Sequence, residues 1–503
     1  MKKILLPVLF GLLSQFLFAQ SAFVRDSLDR YVERGLKEWK IPGMAVAIVK
    51  DGKVVLAKGY GVREWGKPGK VDENTLFMIG SNTKAFTGTA LSWLEYEKKL
   101  SLDDPVTRWL PGFHLFDSCT MQQVTIRDML CHRVGLKTFQ GDFVYWTSNL
   151  SRQEVLQKFG LNPPTYPFRT RYGYCNAGFL TAGEVIPAVA KVSWEDFVRQ
   201  RITAPLGMGR TLMLSGEIAK DKNAAGPHTW YRRKITRLPY PGIDNLAPAG
   251  SMSSSAKDLT RWLLAQTDSG RISGKEMIPF EVLRQTRLAQ TIVSSQPSTR
   301  FPVHYNLYGL GWFLQDYAGR QVVMHTGGVD GFVTLTAFVP EEKLGIVVLT
   351  NQDENEFYQA LYYQILDSYL GRPYRNYHQL YLTASRPKLE ANDQRIDALL
   401  KPGKKNATPA LVLRSFTGKY THPVYGEMDV RLEGGNLALH FSHHPKLIGR
   451  LKPLEGNTFA CIYSIPTFGI HPVSFRVENG LVKSVTVKVN DFVEYDPYVF
   501  VRK

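Results

Sequence analysis

With 503 residues, 44% of them hydrophobic and 21% charged, the chain has a globular composition and the length for two cores; neither disorder nor a polytopic membrane protein is indicated. The formal charge of +17 comes from 62 Lys and Arg spread along the whole chain, with no run of five or six basics and no aromatic-basic signature. A solvated basic surface is therefore expected, and no nucleic-acid partner. Four cysteines make no disulfide framework in a chain this long; Cys119 and Cys131 could pair in an oxidising compartment, and buried free thiols are the default expectation.

Lys2 and Lys3 precede an apolar run from residue 4 to 19, broken only by Gly11, Ser14 and Gln15. This is the n-region and h-region pattern of a signal peptide over 1–20, too short for a comfortable span. The expectation is an exported protein, periplasmic or secreted, without stable membrane insertion after the signal is removed. Residues 27–39 carry an amphipathic helical pattern ended by Pro42 and Gly43. Two β runs follow, 44–49 and 54–62, joined through Asp51-Gly52. Helical stretches such as 86–99 and 194–202 come next, then strands at 321–326, 332–339 and 345–350 and a closing helix at 355–370. Strands at both ends with helices between predict an α+β domain over 21–370, its antiparallel sheet completed by both terminal segments beside a helical subdomain.

Residues 371–410, rich in Lys, Arg, Pro and Asn, read as a linker with at most one or two helical turns. From 411 to 503 the pattern changes to short alternating strands (428–432, 437–441, 474–477, 481–489), with hairpin turns at Gly434-Gly435 and Asn479-Gly480. This predicts a separate all-β barrel or sandwich. His440, His443 and His444 cluster near Lys446 without Cys or carboxylate companions, which reads as a polar β-edge; no metal site is expected.

Three short motifs carry the chemistry. Ser81 and Lys84 stand at i and i+3 where an apolar strand gives way to a helix, so hydroxyl and amine share one face. A helix N-terminus favours developing negative charge, and a desolvated lysine can take the serine proton. The same spacing recurs at Ser254/Lys257, which looks like a helix cap, and at Ser385/Lys388, where Pro387 is expected to spoil the helix. Tyr174-Cys175-Asn176 offers a phenol, able as tyrosinate to act as base and then acid, and an amide to hold substrate and orient the lysine. His325-Thr326-Gly327-Gly328 closes a late strand, where main-chain N–H groups can meet an oxyanion.

Together the three motifs resemble the S-x-x-K, Y-x-N and K/H-T-G series of the serine β-lactamase and penicillin-binding-protein-like hydrolases, in their class C-like branch of D-aminopeptidases, carboxypeptidases and esterases. The resemblance runs over about 27–370 and takes in 43–62, 128–136, 205–208, 249–259 and 308–312; the segment from about 412 resembles an appended lipocalin-like unit. It implies a β-lactamase/transpeptidase-like fold and a Ser81 acyl-enzyme served by Lys84 and Tyr174. Asn176, His325, Thr326, Gly327 and Gly328 would bind substrate, with the N–H groups of Ser81 and Gly328 as oxyanion hole and with no cofactor. The expected partner is a small-molecule or peptide substrate with a D-centre; a class C-like β-lactamase and a non-catalytic penicillin-binding module are the alternatives. Two departures stand out: His325 replaces the usual Lys of β-lactamases, and Arg133-Val134 a Thr-Ser pair. An imidazole titrating near pH 6.5 at position 325 would report substrate charge.

Overall fold

The computed structural model describes residues 20–401, 409 and 411–503, so the expected signal segment lies outside the described residues except for Gln20. After a short helical turn at Ala22–Asp26 comes α1 (Leu28–Trp39), preceded by Ser27 and ended by Lys40 in the left-handed conformation. The hairpin β1 (Gly43–Lys50) and β2 (Lys53–Gly61) follows. Late in the chain come β3 (Thr291–Ser294), β4 (Asn306–Tyr308), β5 (Phe313–Tyr317), β6 (Arg320–Val329), β7 (Phe332–Val339) and β8 (Leu344–Thr350). They form one eight-stranded sheet in the order β2-β1-β8-β7-β6-β5-β4-β3, antiparallel throughout. The N-terminal hairpin thus joins the edge left by the C-terminal strands, as the sequence pattern predicted.

Strand β1 is buried on both faces, which explains its unbroken apolar run. Met44, Val46 and Ile48 pack with Val32 of α1 and with Phe357, Leu361 and Ile365 of α6 (Phe357–Tyr369). Ala45, Ala47 and Val49 belong to the opposite core, with Trp262 and Leu263 of α5 (Ala256–Thr267). On that second face the helical subdomain closes around α2 (Thr83–Tyr96), whose residues are buried from Thr83 to Leu94. A helix buried on every face belongs in a core, and its polar residues there need partners.

Three expectations are corrected here. The segment expected to be a linker holds a 24-residue helix, α7 (Tyr377–Leu400), with Pro387 inside it. Asn376 caps its start, and Tyr377 and Leu382 bury against the aromatic face of α6, so packing outweighs the hydrogen bond lost at proline. Ser385 therefore does lie on a helix, but its hydroxyl goes to Glu356 rather than to Lys388. The helix cap is Ser255, one residue past the Ser254 suggested by the pattern. All four cysteines are free, and Cys119 is exposed rather than buried.

Beyond α7, eight strands close into a barrel in sequence order: β9 (Gly418–His422), β10 (Gly426–Glu433), β11 (Asn436–Phe441), β12 (His444–Glu455), β13 (Thr458–Tyr463), β14 (Ile470–Glu478), β15 (Leu481–Val487) and β16 (Tyr498–Arg502). Pairing of β16 with β9 removes the free edges. An aromatic plug is one of the contacts that seat the barrel on the sheet domain. Phe143, in the short helix α3 (Asp142–Tyr145), stacks on His444 at 4.7 Å and on Tyr498 at 5.4 Å, and meets Phe441 edge-on at 5.2 Å. His444 is therefore no polar edge: it is buried, its Nε2 lies 3.0 Å from the Trp146 carbonyl, and burial holds its pKa at about 4. No cluster of His, Cys, Asp and Glu among the described residues could hold a metal ion, and no described helix is long and apolar enough to cross a membrane.

Truncating the plug, Phe143→Ala, should cost about 3–5 kcal/mol through lost packing and a cavity. Calorimetry should show a lower melting temperature, with the barrel and the sheet domain melting separately. Unchanged melting would mean that other contacts seat the barrel.

Candidate active site

The strand segment Leu76–Met78, paired with Ser253–Ser255, leads into a single 3₁₀ turn, Gly80–Asn82, before α2 begins. The turn lies against β6, and two glycines allow the approach. Gly80 has φ +52° and a Cβ there would stand 3.0 Å from the Gly328 nitrogen; a Cβ on Gly327 would stand 1.9 Å from the Ile79 carbonyl oxygen. The Asn82 amide fixes the turn by donating to Ile79 O at 3.0 Å and to Thr334 Oγ1 of β7 at 2.9 Å. Ser81 is thereby presented beside the β6 segment 325–328.

One turn further on, Lys84 is completely buried. Its Nζ lies 3.0 Å from Ser81 Oγ, 2.7 Å from Asn176 Oδ1 and 2.7 Å from the Ala249 carbonyl oxygen. The rings of Tyr174 and Phe179 cover it, with their centroids 4.7 and 5.4 Å away. Every direct partner is neutral. Burial lowers the Lys84 pKa to about 7, against the opposing pull of the Asp142 charge. Asn176, opening α4 (Asn176–Ala190), turns its Nδ2 to Asp142 Oδ2 at 2.6 Å, which directs its oxygen to the lysine. Asp142 is itself buried, and desolvation raises its pKa to about 7.

Tyr174 stacks on His132 at 4.3 Å, and its hydroxyl faces Ser81 across the cavity. Burial pushes the phenol far above its ordinary range, so the expected tyrosinate is replaced by a neutral phenol in the resting site. The expectation for His325 is corrected as well. Its Nδ1 donates to the Thr326 carbonyl at 2.6 Å, and its Nε2 accepts from the Tyr308 hydroxyl at 3.0 Å. Burial, reinforced by Lys84, lowers its pKa to about 3. The ring stays neutral between pH 5 and 8, and both its nitrogens are occupied within the protein.

Ser81, Tyr174, Asn176, His325, Thr326, Gly327 and Gly328 all line one cavity of about 430 Å³, and Lys84 lies beneath its floor. The structure thus brings together all eight residues that the motifs singled out. Sequence reasoning missed Asp142, Tyr308 and the barrel residues Asp491, Phe492 and Tyr495, which also belong to this site. Tyr308 lay in a stretch already noted at 308–312. Asp142 and the barrel loop gave no local signal.

A sheet of this order with a Ser-Lys-Tyr cluster at the strand-helix junction defines the serine β-lactamase and penicillin-binding-protein-like class of hydrolase folds. The chain belongs to the beta-lactamase family, whose family model matches residues 28–370; a second model, described as a domain of unknown function (DUF3471), matches 402–502. Among curated relatives, an unguisins hydrolase of Aspergillus violaceofuscus is 28% identical over 445 residues, covering 82% of this chain and 77% of its own. Protein flp of Staphylococcus aureus is 26% identical over 65% of this chain and 63% of its own. An octameric penicillin-binding protein homologue from Pyrococcus abyssi shares the fold with TM-score 0.60 at 22% identity, covering 94% of this chain and 99% of that one. A D-stereospecific amidohydrolase from Streptomyces sp. aligns with TM-score 0.52 at 22% identity, covering 64% and 94%.

With lysine labelled at ¹³Cε, the NMR signal of Lys84 should titrate with a midpoint of about 7. Asp142→Asn should move that midpoint lower, because the carboxylate favours the charged amine. A midpoint in the ordinary lysine range would contradict the neutral environment described.

Proposed function

We propose that the protein is a serine hydrolase that forms a Ser81 acyl-enzyme on amide or ester bonds, with D-amino-acid-containing peptides or related esters as substrates. The observation that carries this reading is the set of partners around Lys84. A neutral amine has two N–H donors and one lone pair. Asn176 Oδ1 and Ala249 O can only accept from it, so the lone pair is left for the Ser81 hydroxyl at 3.0 Å. When Ser81 attacks a carbonyl, its proton passes to Lys84. The resulting ammonium keeps all three partners without rearrangement, which is the economy of a preorganised site.

Tyr174, facing Ser81 and neutral, then serves as the phenol that relays a proton to the leaving group. The N–H groups of Ser81 and Gly328 are assigned to the oxyanion. Water attacks the acyl-enzyme by the reverse path. The scheme calls on no metal or organic cofactor. The names of the relatives, an unguisins hydrolase and a D-stereospecific amidohydrolase, support amide hydrolysis. Against β-lactam turnover stands the strand at position 325: neutral His325 offers no fixed cation, and none of the described residues lining the cavity is Lys or Arg. Against a dormant binding module stands the pairing of Ser81 with the buried Lys84 at 3.0 Å, with the Tyr174 ring 4.7 Å from the amine.

A fluorophosphonate probe should label wild-type protein and leave Ser81→Ala unlabelled, and labelling of that variant would remove Ser81 as nucleophile. Lys84→Ala and Tyr174→Phe should each lower kcat by roughly two orders of magnitude or more. Because the base is the neutral amine of a group whose pKa is lowered to about 7, kcat/KM should rise with pH through about 7 and fall on the acid side. D-amino-acid amides should be turned over faster than nitrocefin; the reverse order would favour the β-lactamase reading.

A further inference from the structure

The cavity above Ser81 is not closed by the family's catalytic unit alone. Its outer wall is the loop between β15 and β16, residues 488–497, which brings Asp491, Phe492 and Tyr495 to the same cavity as Ser81. We propose that the barrel completes the active site, and that this loop forms a subsite for an uncharged aromatic or apolar group flanking the scissile bond. The claim deepens the assignment of Ser81 and rests on it only for the chemical step.

The position of the loop is the first argument. Phe492 reaches the strand at the nucleophile, since a Cβ on Gly328 would stand 3.4 Å from its ring. It meets Trp146 edge-on at 6.2 Å, and Trp146 is held by an indole hydrogen bond to Asp330 at 2.9 Å. On the other side Tyr495 lies 5.5 Å from Phe139, which in turn lies 5.5 Å from Tyr174. A surface of aromatic rings thus runs from the catalytic tyrosine out to the barrel, and Tyr495 remains 51% exposed at its end. Rings of this kind favour apolar and aromatic partners by area and by edge-to-face contact.

Charge gives the second argument. Asp142 is buried and engaged by Asn176, while Asp491 is paired with Lys488 at 2.7 Å. With no Lys or Arg among the described lining residues, a substrate carboxylate would lose its water here without gaining a cation. The loop is also fixed rather than loosely draped. Glu494 is 2% exposed and accepts from the Gly141 N–H at 2.9 Å and the Phe143 N–H at 3.1 Å, and Tyr425 donates to it as well. Lys137 pairs with Asp496 at 2.8 Å. The subsite is therefore built before substrate arrives.

The test is calorimetric binding to the full-length Ser81→Ala protein, which reads the subsite without turnover. The probes are N-acetyl-D-phenylalanyl-D-phenylalanine amide, its D-alanyl-D-alanine counterpart and the D-phenylalanyl free acid. The aromatic amide should bind roughly tenfold tighter than the alanine one, and the free acid should bind more weakly than the aromatic amide. Adding Phe492→Ala should reduce the aromatic preference to less than about threefold, and Tyr495→Ala should reduce it in part. Phe492→Leu, which keeps volume without the ring, serves if Phe492→Ala disturbs docking of the barrel. No aromatic preference in the Ser81→Ala protein, or the same preference after both loop changes, would overturn the subsite. An intact preference in a protein whose wild type hydrolyses neither amide would uphold the subsite and reject the catalytic assignment instead.

Discussion

Much of this structure depends on holding one amine out of water among neutral partners. Lys84 has no contacting carboxylate; it has a serine hydroxyl, an amide oxygen and a main-chain carbonyl. Burial without a counter-charge disfavours the ammonium, which is what brings its pKa to about 7. Each partner comes from a different part of the chain. Ser81 comes from the turn before α2, Asn176 from the start of α4, and Ala249 from a short helix far downstream. The subdomain is the arrangement that brings these three partners to one nitrogen.

The short helix α3 ties this site to the barrel through adjacent residues. Asp142 faces inward to Asn176 and so orients the oxygen that Lys84 needs. Phe143 faces outward and fills the mouth of the barrel between His444 and Tyr498. The amides on either side of Asp142 donate to Glu494 of the barrel. Glu494 and Asp142 each have a raised pKa of about 7, burial being the first cause for both. Docking of the second domain and the geometry beneath Ser81 are therefore one packing problem, which gives the domain of unknown function a structural place beside the candidate site.

The late strands show how context sets the character of a residue. His325 sits on β6 where a lysine would carry charge, yet Tyr308 and Thr326 occupy both ring nitrogens and burial keeps it neutral. Tyr174 is kept neutral by the same desolvation, which leaves Lys84 as the group able to accept a proton at neutral pH. Two residues expected to titrate in function are thus fixed in one state by their surroundings.

The sequence by itself determined what depends on neighbours along the chain. The apolar runs and turn residues located the two-ended sheet, and the strand-to-helix change at Ser81 placed hydroxyl and amine one turn apart. Tyr174-Cys175-Asn176 and 325–328 were legible as motifs because each gathers its polar groups within a few consecutive residues. Only the tertiary structure decided protonation, because desolvation depends on what packs around a group from elsewhere. It also decided the helix through Pro387, where burial against α6 outweighed a local breaker. Asp142, Phe492 and Glu494 stayed invisible for the same reason. Glu494 meets Gly141 across 353 residues, and no local pattern encodes a contact made by two domains folding against each other.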